Sequence, residues 1–196
     1  MADRRLTGVV LAGGAGRRFG APKAYHVHRG RTLAEHAARK LDGLCDRVVI
    51  SVGPGMAAPP GNREVVVDAA PARRGPLAGL AAAWSADPRA DLLVLACDYP
   101  AVPVELLREL RDRGVAGAPA AAIAVAADGC RHPLVAWWNR ELRAAVETAL
   151  AAGLLAVRDV LDGRPLVEVR PAAPRAGDDV LTNVNRIADL PAEPPD

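Results

Sequence analysis

A stretch rich in glycine and basic residues near the start of the chain combines the residue types that bind phosphate. It begins with the apolar residues 9–11 and continues with glycines and basic side chains, namely Gly13, Gly14, Gly16, Arg17, Arg18, Gly20 and Lys23. Glycine lets the backbone adopt positive φ and approach a ligand closely, and successive free N–H groups form an anion-binding nest. A strand that runs into such a loop therefore predicts a phosphate-binding site.

Two familiar phosphate-binding motifs do not fit this loop. A P-loop needs a lysine followed by Ser or Thr, whereas Lys23 follows Pro22 and precedes Ala24. The dinucleotide fingerprint needs a third glycine where this chain has Phe19. A dinucleotide-binding oxidoreductase is disfavoured further because no clear strand-end acid follows the glycines by about 20 residues.

The elements that must position this loop alternate between strand and helix in the first half of the chain. We predict strands over 7–12, 47–52, 64–67 and 91–96, and a short extended piece over 25–28. Thr32 and Glu35 form a capping box at the start of the first helix, Pro76 suits the first turn of a second helix that runs to about 86, and a third helix starts at 102–103. This alternation predicts a mostly parallel sheet with right-handed crossovers.

The second half of the chain has a different pattern. Residues 120–126 and 133–137 flank an Asp-Gly turn and predict a hairpin-like pair. A helix over 139–152, a short helix over 157–161, a strand over 166–169 and a last short helix follow. We predict a three-layer α/β/α fold with a Rossmann-like sheet and a small antiparallel addition. Residues 1–190 would form one domain, and 191–196 a flexible Pro-rich tail.

Two aspartates follow predicted strands at the edge where open α/β sheets bind ligands. Asp68 follows the third strand, and Asp98 follows the fully apolar strand over 91–96. The helix after Asp98 starts too far along the chain for Asp98 to cap it. A carboxylate there can hold a hard divalent cation that also binds phosphate oxygens.

The run L-A-G-G-x-x-x-R-F-G-x-P-K from Leu11 to Lys23 resembles the signature of nucleotidyltransferases with a GT-A-like fold. Its L-A-G-G form is most similar to the molybdenum cofactor guanylyltransferase family, a MobA-like branch. Further matches are G-P-L-A-G at 75–79, C-D-x-P at 97–100, H-P-L at 132–134 and N-V-N at 183–185. The resemblance extends over nearly the whole chain.

The resemblance implies Mg²⁺-dependent transfer of GMP from GTP to the terminal phosphate of molybdopterin, with release of pyrophosphate. It implies catalytic roles for Arg18, Lys23 and Asp98, with Asp98 as the metal ligand. His132, Asn183 and Asn185 would face the acceptor. The implied nucleotide-binding residues are Leu11, Ala12, Gly13, Gly14, Lys23, Ser51, Asp68, Gly75, Pro76, Leu77, Gly79 and Asp98.

Two departures from the family pattern keep alternatives open. Ser51 stands where molybdenum guanylyltransferases often carry Asn, and Arg186-Ile187 stands where the family usually shows Thr-Pro. A cytidylyltransferase that acts on the same pterin, or another small-acceptor nucleotidyltransferase, is therefore an alternative. A nucleotide-binding module without activity is the non-enzyme alternative. Against it, the basic and acidic residues of the motifs are all present.

Composition excludes several other classes. The net charge of +2 is too small to argue for nucleic acid, and no apolar run approaches the ~20 residues that span a bilayer. Cys45, Cys97 and Cys130 are odd in number and widely spaced, which predicts neither a zinc site nor a disulfide framework. We expect a cytoplasmic protein whose partners are GTP and a molybdopterin-type acceptor. By the resemblance, these extend to transient contacts with cofactor-biosynthesis or molybdoenzyme-maturation proteins.

Overall fold

A seven-stranded sheet organises the chain. The computed structural model describes residues 5–13, 22–68, 75–172 and 180–190. The sheet contains β1 (Leu6–Leu11), β4 (Arg47–Val52), β5 (Glu64–Val67), β6 (Asp91–Ala96), β7 (Ala121–Val125), β8 (Arg131–Trp138) and β9 (Leu166–Val169). The strand order is β5-β4-β1-β6-β8-β7-β9, and β2 (Val27–His28) pairs separately with β3 (Arg31–Thr32).

The pairing directions confirm the predicted mixture. Strands β5, β4, β1 and β6 run parallel to one another. Strand β8 runs antiparallel to both β6 and β7, and β9 is parallel to β7. The register of the β7–β8 pair shifts between Ile123 and Ala124. The sheet is thus mostly parallel, with the antiparallel addition contributed by the second half of the chain.

Helices cover both faces of the sheet: α1 (Leu33–Leu41), α2 (Gly75–Ala86), α3 (Val104–Gly117), α4 (Arg143–Ala151) and α5 (Val157–Leu161). On one face, β6 packs Leu93 and Leu95 into a core shared with α1 and α3. On the other face, Leu92 and Val94 join a core shared with α2, α4 and α5. Every residue of β6 is buried, as its unbroken apolar run predicts, and the three-layer arrangement is confirmed.

Local signals account for most element boundaries. The Thr32 side chain accepts a hydrogen bond from the Glu35 N–H at 3.1 Å, which confirms the predicted cap of α1. Gly75 has φ +65°, so Pro76 is the first residue of α2 whose φ suits a helix. No helix in the described ranges is long and apolar enough to cross a membrane.

Three predictions of local structure were wrong in detail. Residues Lys23–Tyr25 form a 3₁₀ turn, so the extended piece starts only at Val27. The helix predicted over 139–152 is divided into a 3₁₀ turn at Arg140–Leu142 and α4. The Asn139 side chain accepts a hydrogen bond from Glu141 N–H and so tightens that first turn. Helix α3 begins at Val104, because the preceding Pro103 has extended backbone angles.

Candidate functional site

The carboxyl ends of β1, β4, β5 and β6 meet at one edge of the sheet because these strands are parallel neighbours. Main-chain bonds continue the pairing just beyond the strands. Ala12 N–H donates to Ser51 O at 2.8 Å, and Cys97 N–H donates to Leu11 O at 3.2 Å. Asp68 N–H donates to Val52 O at 3.1 Å. The first loop, Asp68 and Asp98 therefore start from the same edge, as the order of elements predicts.

Ser51 and Asp68 form a buried polar pair on the β4–β5 side of this edge. Ser51 Oγ donates to Asp68 Oδ1 at 3.0 Å, and both residues are buried. Burial raises the pKa of the Asp68 carboxyl, and the hydrogen bond from Ser51 acts in the opposite direction. Ser51 therefore lies beneath Asp68 and orients its carboxylate.

Gly79 of α2 lies directly against this pair. A methyl group added at its Cα would lie 2.7 Å from Leu11 Cδ2 and 2.7 Å from Ser51 Oγ. Only glycine allows α2 to approach β1 and β4 this closely without a shift of these neighbours. Leu77 is fully buried in the core beneath α2, so its side chain supports the helix. Its main-chain N–H lies in the first turn, where helices leave N–H groups without intrahelical partners.

Lys23 and Asp98 form an ion pair on the β6 side of the edge. Lys23 Nζ lies 3.5 Å from Asp98 Oδ2, and the two side chains are 16% and 25% exposed. The ammonium also donates to Val184 O at 2.6 Å and to Asn185 Oδ1 at 3.1 Å. Burial raises the pKa of the Asp98 carboxyl, while the charge of Lys23 acts to lower it. The pair is thus partly desolvated but still open to solvent.

The segment 180–190 is held against this ion pair. Val184 N–H donates to Asp98 O at 2.8 Å, and Asn185 Nδ2 donates to Asn183 Oδ1 at 3.0 Å. Asp189 Oδ2 accepts hydrogen bonds from Asn185 N–H at 3.0 Å and from Arg186 N–H at 2.7 Å. The structure thereby brings Asn185 of the N-V-N motif onto Lys23 and holds Asn183 beside Asn185. Asp189, which sequence reasoning missed, fixes the backbone of Asn185.

His132 at the start of β8 lies beside the turn that follows Asp98. Its Nδ1 is 3.2 Å from the Tyr99 hydroxyl, and the two rings meet edge to face with centroids 5.6 Å apart. Burial raises the pKa of Tyr99 to about 12, so the hydroxyl stays protonated at neutral pH. Tyr99 was not predicted as a site residue, although it directly follows Asp98 in the sequence.

The carboxylate of Asp98 suits a divalent cation that phosphate oxygens also bind. Within the described parts of the chain, no group of three or more His, Cys, Asp and Glu residues could hold a metal ion. Mg²⁺ commonly uses only one or two protein carboxylates, together with phosphate oxygens and water. The partly exposed carboxylate of Asp98 meets that requirement. Arg18 and Gly14, which the motif also implicates, lie outside the described residues.

Comparison with known proteins gives one consistent family. A family model described as the MobA-like NTP transferase domain matches residues 8–169. A curated relative from Bacillus licheniformis is 32% identical over 186 residues, covering 93% of this chain and 93% of the relative. One from Mycobacterium bovis is 35% identical over 193 residues, covering 95% and 92% respectively. Both relatives are named probable molybdenum cofactor guanylyltransferase.

Solved structures share the fold. Molybdopterin-guanine dinucleotide biosynthesis protein A from Archaeoglobus fulgidus has a TM-score of 0.67 at 22% identity, covering 84% of this chain and 83% of that one. Rv0371c from Mycobacterium tuberculosis, solved in complex with manganese, has a TM-score of 0.54 at 24% identity, with coverages of 85% and 88%.

Proposed function

We propose that this chain, which belongs to the MobA-like NTP transferase family, transfers GMP from GTP to the terminal phosphate of a molybdopterin-type acceptor. Pyrophosphate would be released, and Mg²⁺ would be the cation. The observation that carries the proposal is the Lys23–Asp98 pair, 3.5 Å apart at the ligand-binding edge of the sheet. The names of the curated relatives supply the acceptor and the base.

The proposed reaction is a phosphoryl-centred displacement. An acceptor phosphate oxygen bonds to the α-phosphorus of GTP, and the bond from that phosphorus to the oxygen bridging the α- and β-phosphates breaks. The electron pair leaves with pyrophosphate. Such chemistry depends on positioning and charge neutralisation, and needs no nucleophile from the protein. Bound Mg²⁺ would supply positive charge at the phosphate oxygens, and Asp98 would hold it.

Lys23 would be the main cation that this chain contributes among the described residues of the site. Its present partners are the Asp98 carboxylate, the Val184 carbonyl and the Asn185 amide oxygen. Triphosphate oxygens carry more negative charge than the two neutral acceptors, so they would compete for the ammonium. Arg18 would add a second cation by its place in the motif. Both roles are charge stabilisation rather than proton transfer.

The two sides of the edge would receive the two substrates. We assign the nucleoside to Asp68, oriented by Ser51, and to the first turn of α2 at 75–79. The main chain of 11–13 would face the phosphates. The acceptor would lie against Asn183, Asn185 and His132, on the β6–β8 side. Amide and imidazole groups can pair with a pterin edge or a phosphate.

Ser51 also supports a second candidate, transfer of CMP from CTP to the same acceptor. Its short side chain is buried and donates its hydrogen bond to Asp68. It can therefore make fewer hydrogen bonds to a base than a longer amide side chain at this position could. Selection for guanine would then depend on α2 and Asp68.

The test is thermal unfolding with each of GTP, CTP, ATP and UTP, with and without Mg²⁺. A ligand at about one hundred times its dissociation constant adds ~2.7 kcal/mol, which corresponds to a shift of roughly 5–10 °C for a domain of this size. We expect a shift confined to GTP with Mg²⁺. It should be lost in Asp98→Asn and kept in the control Asp162→Asn, which alters an exposed aspartate after α5. A CTP-selective shift would favour the second candidate, and no shift with any nucleotide would contradict both.

A further inference from the structure

Lys40, near the end of α1, directs its ammonium at the turn that follows Asp98. Nζ donates to the main-chain carbonyl of Pro100 and, at 2.7 Å, to that of Val102. The two carbonyls lie 60 and 62 residues further along the chain, so only the tertiary fold brings them to Lys40. The lysine therefore ties α1 to the connection between β6 and α3.

This arrangement is costly for a lysine, which normally keeps its ammonium in water. Burial lowers the pKa of Lys40 to about 8. Lys40 makes no ion pair with any residue in the described ranges that would offset the burial. The oxygens that accept its hydrogen bonds are neutral carbonyls, which offset the cost of burial less than a carboxylate would. The structural consequence of these bonds is that the position of the turn is fixed.

The turn needs such a support because few main-chain bonds hold it. Tyr99 N–H donates to Ala96 O at 3.2 Å, the upper end of the usual range, and Val102 N–H donates to Tyr99 O at 3.4 Å, which is long for such a bond. Pro100 and Pro103 have no N–H to contribute. Val184 N–H supports the turn at the Asp98 carbonyl from the opposite side. Lys40 supplies the two short side-chain contacts on the α1 side.

We propose that Lys40 is a positioning residue for Asp98, because its ammonium fixes the 98–102 turn and so holds the Asp98 carboxylate where cation and nucleotide phosphate meet. The cation half of this inference rests on the proposed function. If the role of Lys40 is purely structural, removing its ammonium lowers stability alone. If Lys40 positions Asp98, removing its ammonium also raises the cation concentration that nucleotide binding needs.

The variants are chosen to separate these two roles. Lys40→Met keeps an unbranched apolar stem and removes the ammonium. Lys40→Arg keeps a charged donor, and Arg39→Met is the control because Arg39 is the exposed neighbour on α1. The first readout is the Mn²⁺ concentration that gives half of the GTP-induced thermal shift. The second readout is hydrogen exchange of the amides in 99–102.

We expect Lys40→Met to raise the Mn²⁺ requirement about tenfold, the effect of losing one hydrogen bond to a charged group. Exchange in 99–102 should speed up in Lys40→Met more than in Arg39→Met, and Lys40→Arg should restore part of both effects.

An unchanged Mn²⁺ requirement in Lys40→Met, with GTP still bound, would overturn the inference. If the wild-type chain binds no GTP, the proposed function fails and the exchange readout decides alone. Faster exchange confined to 99–102 would then support the fixing of the turn. Exchange equal to that of Arg39→Met would overturn it.

Discussion

Replacing Gly79 with alanine tests the close packing of α2 against the Ser51–Asp68 pair. The added methyl group would lie 2.7 Å from Ser51 Oγ and 2.7 Å from Leu11 Cδ2, closer than packed carbon atoms tolerate. Both neighbours belong to strands of the sheet, so their backbones are held and their side chains must rotate instead. The smallest adjustment is a rotation of the Ser51 hydroxyl away from Asp68.

The expected loss of stability follows from two destabilising contributions and one stabilising contribution. A hydrogen bond to a charged group contributes about 1.5–3 kcal/mol, and the displacement of Leu11 adds a cost of about 1 kcal/mol typical of mild overpacking. Alanine in place of glycine inside a helix returns about 1 kcal/mol. We therefore expect the free energy of unfolding to fall by roughly 1.5–3 kcal/mol. Affinity for GTP should fall about tenfold because Asp68 loses its orienting partner.

Urea unfolding gives the stability, and calorimetric titration with GTP and Mg²⁺ gives the affinity. Gly117→Ala is the matched control, because its methyl group would lie an ordinary 3.6 Å from Pro119 Cδ at the end of α3. That variant should keep wild-type GTP affinity and lose no stability. If Gly79→Ala matches Gly117→Ala in both measurements, the close packing does not support the nucleotide site.

Two further predictions concern the charged groups. Asp98→Asn and Lys23→Ala should each lower turnover, measured as pyrophosphate release, by about a hundred- to thousand-fold. The circular dichroism spectrum of each variant should stay native. Near-normal turnover in either variant would refute the role of that residue. Burial lowers the pKa of Lys40 from its ordinary value of 10.5 to about 8 in the folded chain. Between pH 8 and pH 10.5 the unfolded chain therefore binds more protons than the folded chain. The stability of the wild type relative to Lys40→Met should therefore rise from pH 8 to pH 10.5 in urea unfolding, and a constant difference would show that Lys40 is not desolvated.

The fold followed from the sequence because its signals are local. The unbroken apolar run of β6 predicted a strand buried on both faces, and Thr32 with Glu35 predicted the start of α1. The Asp-Gly turn predicted the β7–β8 pair. The errors occurred where one residue competes with a regular pattern, as when the side chain of Asn139 tightens the first turn after β8.

The order of the strands predicted which residues lie at the site, but not which contacts their side chains make. Order along the chain placed Lys23, Asp68 and Asp98 at one edge, but it carried no information on side-chain partners. Lys23 pairs with residues 161 and 162 positions away, which depends on where the segment 180–190 packs.

Two polar contacts could not be predicted from the residues around them in the sequence. Lys40 reads as an ordinary helix lysine, because nothing in its spacing shows that α1 packs against the 98–102 turn. Ser51 was predicted as a nucleotide contact, and nothing near it in the sequence indicated that its hydroxyl donates to the Asp68 carboxylate. Both depend on contacts between elements far apart in the sequence, which periodicity and capping patterns do not encode.

Nucleotide transfer to the pterin is tested directly by product analysis after incubation of the protein with molybdopterin, Mg²⁺ and either GTP or CTP. Mass spectrometry of the pterin product and measured pyrophosphate should show a guanine dinucleotide formed from GTP, one pyrophosphate per product, and neither in Asp98→Asn. A cytosine product instead of a guanine product would transfer the assignment to the second candidate. No pterin-nucleotide product from either substrate would contradict the proposed function.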